Sequence, residues 1–214
     1  MKIEGLPDDM AGFADMDILT CVKGEKSKVE TTGMMMSKST YYDGKTLTII
    51  MNFMGDKFAC VVDKQKLTES SKNVAKPKKP SIKYTNEKKK ILGYDCAKVL
   101  LTVEEESEAS TKVTLTVEPK KETILTAWIT DKLKSMHADL ANAQNNEMDL
   151  SELKGVILEM ETSVKENGMD LKMKMTTTEI STKNIDDAQF KANTEGCRMV
   201  DYKEMLEIPK KIGR

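Results

Sequence analysis

The side chains able to do chemistry are few and unevenly chosen. His137 is the one histidine in 214 residues, so a Ser-His-Asp or Cys-His arrangement could use no other imidazole base. It falls at the spacing Leu133, Met136, His137, Leu140, which places it on the apolar stripe of a helix. No GxGxxG, P-loop, HExxH or GxSxG pattern occurs. Carboxylates alternate with lysines or gather at Glu104-Glu105-Glu106-Ser107-Glu108, without the ligand spacing of a calcium loop. The four cysteines (Cys21, Cys60, Cys96, Cys197) contain no C-x-x-C pair, which argues against a zinc or dithiol redox site. Cys21 and Cys60 sit in apolar runs and read as small buried hydrophobes. Cys96 and Cys197 each follow a glycine closely, and their spacing leaves a bridge between them open. This inventory supports no enzyme, no cofactor and no metal.

Methionine is the unusual residue, with 16 copies against one Trp and four Phe. Met34 and Met36 alternate in one predicted strand, Met51 lies in the next, and Met160, Met173 and Met175 lie in a late hairpin. Long unbranched thioether chains repack around different apolar shapes, so such a face suits a lipid-like or variable ligand. The candidate lining is Met34, Met36, Ile49, Met51, Phe53, Trp128, Met136, Leu158, Met160, Leu171, Met173 and Met175. An ordinary β-core in an aromatic-poor protein would show much the same pattern.

Composition narrows the class. Lys+Arg is 34 against Asp+Glu 35, without the basic excess of a dedicated nucleic-acid binder. Only Arg198 and Arg214 can offer the bidentate guanidinium fork. No run approaches the roughly 18 apolar residues that cross a bilayer. Met1-Lys2-Ile3-Glu4 has no signal-peptide pattern and already alternates like part of a strand, so the natural chain is expected to begin earlier.

The elements that must position these side chains are mostly strands. Gly24, Gly33, Gly44 and Gly55 punctuate the first quarter, and Asp43-Gly44 is a strong hairpin signal. The segments between them predict an antiparallel meander. Lys66 to Lys90, crowded with lysine around Pro77 and Pro80, reads as a solvated loop. Strands are predicted at Lys98–Val103, Thr111–Val117 and Thr123–Thr130, with an acidic hairpin tip between the first two. A helix is predicted from Asp131 to about Ala143. The best hairpin runs from Val156 to Val164, turns at Asn167-Gly168, and returns from Met169 to Ile180. Val156, Leu158, Met160, Thr162 and Val164 are expected to share one face. The sum is about ten or eleven strands with one or two helices, in a large antiparallel sheet that must curl, close or split into layers.

Several short segments together resemble a known family. They are Val22-Lys23-Gly24-Glu25-Lys26-Ser27-Lys28-Val29-Glu30, Tyr42-Asp43-Gly44-Lys45, Ile91-Leu92-Gly93-Tyr94-Asp95-Cys96-Ala97-Lys98, Ala127-Trp128-Ile129-Thr130 and Leu153-Lys154-Gly155-Val156-Ile157-Leu158-Glu159-Met160. The chain resembles an uncharacterised envelope domain of Bacteroidetes-type bacteria, grouped with the lipoprotein-carrier (LolA/LolB-like) half-barrel superfamily. The resemblance implies a strongly curved antiparallel sheet forming an incomplete barrel over residues 1–214 as one domain, its apolar mouth covered by helices. It also implies an exported protein, periplasmic or outer-membrane associated. Several carriers use an arginine near the cavity, whereas here the two arginines are Arg198 and Arg214, so no cargo-contact residue transfers. The resulting expectation is a monomeric, non-enzymatic envelope protein. Its concave face would bind a lipid, a lipoprotein acyl chain or another apolar ligand, with a membrane-surface contact allowed and no nucleic-acid partner. The alternative is a structural or interaction module with a packed core.

Overall fold

The structure is a computed structural model that describes residues 1–4, 15–63, 78–104, 122–133, 148–166 and 169–212. The chain is mainly β. Residues Met16 to Asp63 form the expected meander: β2 (Met16–Lys23), β3 (Lys26–Gly33), β4 (Met36–Tyr42), β5 (Thr46–Phe53) and β6 (Asp56–Asp63). Each strand pairs antiparallel with the next, and β12 (Arg198–Met199) adds in parallel to β6. The second set comprises β1 (Lys2–Glu4), β7 (Ser81–Ile91), β8 (Tyr94–Glu104), β9 (Glu122–Thr130), β10 (Val156–Glu166) and β11 (Met169–Thr176). It runs in the order β1-β11-β10-β9-β8-β7.

Among the described residues, one backbone hydrogen-bonded pair joins the two six-stranded sheets. The Met16 amide donates to the Met1 carbonyl at 3.0 Å, and the Met1 amino group donates back to the Met16 carbonyl. Twelve described strands therefore follow one another from β7 to β12 as an open, curved sheet, with neither end joined to the other.

Residues directly opposite in a ladder share a face, so the register carries one face across the joint. In the second set, Val99 faces Ala127, Ala127 faces Met160, and Met160 faces Met175. Met173 faces Ile3, and Met1 on the same side of β1 faces Met16. From there Ile18 faces Thr31, Thr31 faces Lys38, and Lys38 faces Met51. The cores of both sheets lie on this one side.

Each end of the face is covered. Asp201 caps the helix α1 (Tyr202–Ile212): its carboxylate accepts from the Glu204 amide at 2.7 Å and its carbonyl from the Met205 amide at 3.0 Å. Tyr202, Met205 and Ile208 then bury against Ile49, Met51, Phe58 and Cys60. The chain reaches this position past a 3₁₀ turn (Asp187–Phe190) held to β2 by Lys23, whose ammonium lies 2.9 Å from Asp187. At the other end, Met148, Leu150 and Leu153 pack on Val99, Leu101, Leu125 and Ala127.

Several expectations need correction. β4 begins at Met36, because Gly33 pairs with Met16 and Met36 with Phe53; Met34 and Met35 must make the reversal between them. The lysine-rich stretch is not all loop, since Ser81–Ile91 is edge strand β7. Its Lys83, Lys88 and Lys90 stay exposed, as charges on a free sheet edge usually do. On β10 a bulge inserts Leu158 between Ile157 and Glu159, so Val156 loses the shared face and Ile157 gains it. The four cysteines are free; Cys96 is buried in one sheet, whereas Cys197 is half-buried beside β12. The strand Thr111–Val117, the residues Glu105–Glu108 and the helix expected beyond Leu133, with Met136 and His137, lie outside the described residues.

Candidate functional site

Between its two covered ends the shared face stays partly open. Met160, Met173, Met175, Ile3, Met1 and Met16 are all half-buried, and Ile18 is 43% exposed. These residues belong to β10, β11, β1 and β2, four neighbouring strands, so they form a strip roughly 14 Å across at about 4.8 Å per strand. Its chemistry is thioether and alkyl. Leu171, two residues from Met173 on β11, extends it at half-burial.

The expected lining residues separate into groups. Ile49 and Met51 are buried beneath α1, and Met36 packs at the edge of that cluster. Phe53 is half-buried at the end of β5, opposite Met36. Met160, Leu171, Met173 and Met175 lie on the open strip, and Leu158 is buried at the bulge. Met34 is 68% exposed in the β3–β4 reversal, away from the face. Trp128 points to the opposite side of the sheet, because it pairs with Lys98 and Glu159 rather than with the methionine row. There the Lys89 ammonium sits 4.3 Å from the ring centre and 2.7 Å from the Glu159 carboxylate. This fills the indole face with a cation, a stable arrangement that leaves little room for an apolar ligand.

Sequence reasoning missed Met1, Ile3, Met16 and Ile18, whose place on the strip depends on the joint between the sheets. It also missed Lys38. This lysine shares its face with Met36, Thr40 and Tyr42, an alternation visible in the chain, although nothing local shows which side faces inward. Burial holds the Lys38 ammonium below the usual lysine range.

Few other groups are tuned for chemistry. Burial, with the Asp201 charge nearby, pushes the Cys60 thiol up to about 11, which makes it a poor nucleophile near neutral pH. Among the described residues no three His, Cys, Asp or Glu side chains gather as a metal site would require. No described helix is long and apolar enough to cross a membrane. A recess of about 310 Å³ lies mainly on the side away from the methionines, between Ile124, Thr126, Glu161, Thr162 and Ser163.

No protein-family model matches the chain, and no curated protein matches it. Among solved structures, the chain is similar to PNGF-II at 14% identity and a TM-score of 0.33, over 89% of this chain and 32% of that one. This chain thus spans about a third of the PNGF-II length. It is similar to LprF from Mycobacterium bovis at 12% identity and a TM-score of 0.28, over 81% of each chain.

Proposed function

We propose that this protein is a non-enzymatic, envelope-associated binder of an apolar ligand such as a lipid or lipoprotein acyl chain. The single observation that carries the reading is the half-buried strip of Met160, Met173, Met175, Met1 and Met16, open between two covered ends of one continuous face. Such a strip costs free energy in water and recovers it when an alkyl chain lies on it. Full burial of a chain gains about 0.8 kcal/mol per CH₂, or on the order of 10 kcal/mol for twelve carbons before ordering costs. Methionine accommodates chains of different shape, so the reading favours an acyl class over one rigid molecule. The resemblance of the sequence to envelope carrier domains supports the location.

The test is to purify the protein from cells, extract it with organic solvent and analyse the extract by mass spectrometry. The expected result is a lipid retained by the wild type and reduced in Met173→Asp. An extract indistinguishable from a blank, with no alkyl ligand adding mass to the intact protein, would reject the reading. The competing reading is a packed module without ligand; the 310 Å³ recess has no methionine in its lining and so adds nothing to the methionine-strip reading. The packed module predicts that Met173→Asp changes no bound material.

A further inference from the structure

Charged side chains on the continuous face are few and lie mostly at its outer margins, with Lys88 and Lys90 on edge strand β7 opposite Ala97 and Asp95, and Arg198 on β12 opposite Phe58. Asp56 stands at the start of β6 and Asp95 near the start of β8, but Lys38 lies in the interior of β4, between Met36 and Thr40. Other half-buried or buried lysines have carboxylates: Lys28 meets Glu30 at 3.0 Å, and Lys89 meets Glu159 at 2.7 Å. Among the described residues no carboxylate pairs with Lys38. An ammonium drawn out of water without a counter-charge is costly, and such groups are normally paired.

Two hydroxyls on the same stretch show the same deficit. Thr40 is fully buried and its Oγ1 has no hydrogen-bond partner, and Ser27, also buried, leaves its Oγ unpaired opposite Tyr42. Buried polar atoms are nearly always satisfied. Lys38 and Thr40 are two residues apart on one face, about 7 Å along the strand, a gap that a lysine side chain spans. Lys38, Thr31 and Ile18 then form a row that opens onto Met16 and Met1. The cation therefore stands where the part covered by α1 meets the open strip.

Resting on the ligand reading above, we propose that the ligand is a single-chain amphiphile with an anionic head. Lys38 takes the head group with the Thr40 hydroxyl beside it, and the alkyl chain runs over Ile18, Met16 and Met173. Carboxylate and phosphate heads share the required chemistry, an oxyanion that accepts from an ammonium and a hydroxyl.

Three probes test this by calorimetry: hexadecanoate, hexadecyl phosphate and hexadecan-1-ol, with wild type, Lys38→Met and Lys38→Arg. The wild type should bind at least one anionic probe tenfold or more tighter than the alcohol. Lys38→Met should lose that preference while its affinity for the alcohol is unchanged, and Lys38→Arg, which keeps the charge, should retain it. Equal affinity of the wild type for all three probes overturns the anionic head and leaves the apolar strip standing. A preference that survives in Lys38→Met overturns the role of Lys38. If no probe binds, the ligand reading falls and this proposal with it.

Discussion

The methionines should divide into two energetic classes, and the contrast between Met205 and Met34 measures the division. Met205 is 1% exposed, at the centre of the α1 face formed with Tyr202 and Ile208. The helix has 11 residues, below the roughly 12–15 at which an isolated helix becomes marginal in water, so its place depends on packing. Met205→Ala removes buried atoms between a helix and a β-sheet that can collapse only partly. The expected cost is about 3 kcal/mol, within the 2–5 kcal/mol typical of such truncations. For a chain of this size that lowers the Tm by roughly 6–12 °C. Met34, 68% exposed, should lose no more than about 0.5 kcal/mol on the same change. Urea denaturation followed by far-UV circular dichroism reads both variants, with an unchanged m-value as the check that the same transition is observed. A Met205→Ala loss below about 1 kcal/mol at constant m would refute the claim that α1 is a structural cover of the face.

Three further outcomes follow from local geometry. Gly155 has φ +141°, and a Cβ there would meet the Thr130 carbonyl oxygen at 2.7 Å, so Gly155→Ala should cost at least about 1–3 kcal/mol in the same denaturation assay. Asp43 accepts from the amides of Thr46 at 2.7 Å and Lys45 at 2.9 Å, which holds its carboxyl below the usual range. Its contribution is complete above the unfolded pKa, near pH 4, and is lost as pH falls through the lower folded value. Asp43→Asn, which keeps the acceptor, should flatten stability over that acid window, and Asp43→Ala should cost about 1 kcal/mol at pH 7. Finally, Cys60 and Cys96 are buried with raised pKa values, whereas Cys21 and Cys197 are half-buried. A thiol reagent at pH 8 should label Cys21 and Cys197 in the native protein and the other two only in denaturant; rapid native labelling of Cys60 would contradict its placement under α1.

The strands were legible wherever their signal was local. Asp43-Gly44 and the alternation of Leu47, Ile49 and Met51 place a turn and a strand face without further information, and both are as expected. The hairpin of β10 and β11 is also plain in the chain, but its phase is not. One inserted residue at Leu158 moved Val156 off the inner face, and a bulge leaves little mark on hydrophobic alternation. α1 was hidden for a related reason. It is short and carries Pro209 in its interior, so its best signal was Asp201 with Glu204 three residues on, ahead of Met205 and Ile208.

The candidate site divides along the same line. The methionine-rich alternation of Met173 and Met175 is a property of one strand and could be read from the chain. That Met1 and Met16 continue it, that Trp128 faces away, and that Lys38 faces inward are facts of register between distant strands. Alternation shows that a strand has two unlike faces, because successive side chains point to opposite sides. Which face is inside depends on partners tens of residues away and on what covers them. The sequence by itself determined a methionine-rich antiparallel protein with two-faced strands. Only the tertiary structure joined those faces through Met1 and Met16, closed both ends with α1 and the Met148–Leu153 segment, and left the half-buried Lys38 beside the open strip without a carboxylate partner among the described residues.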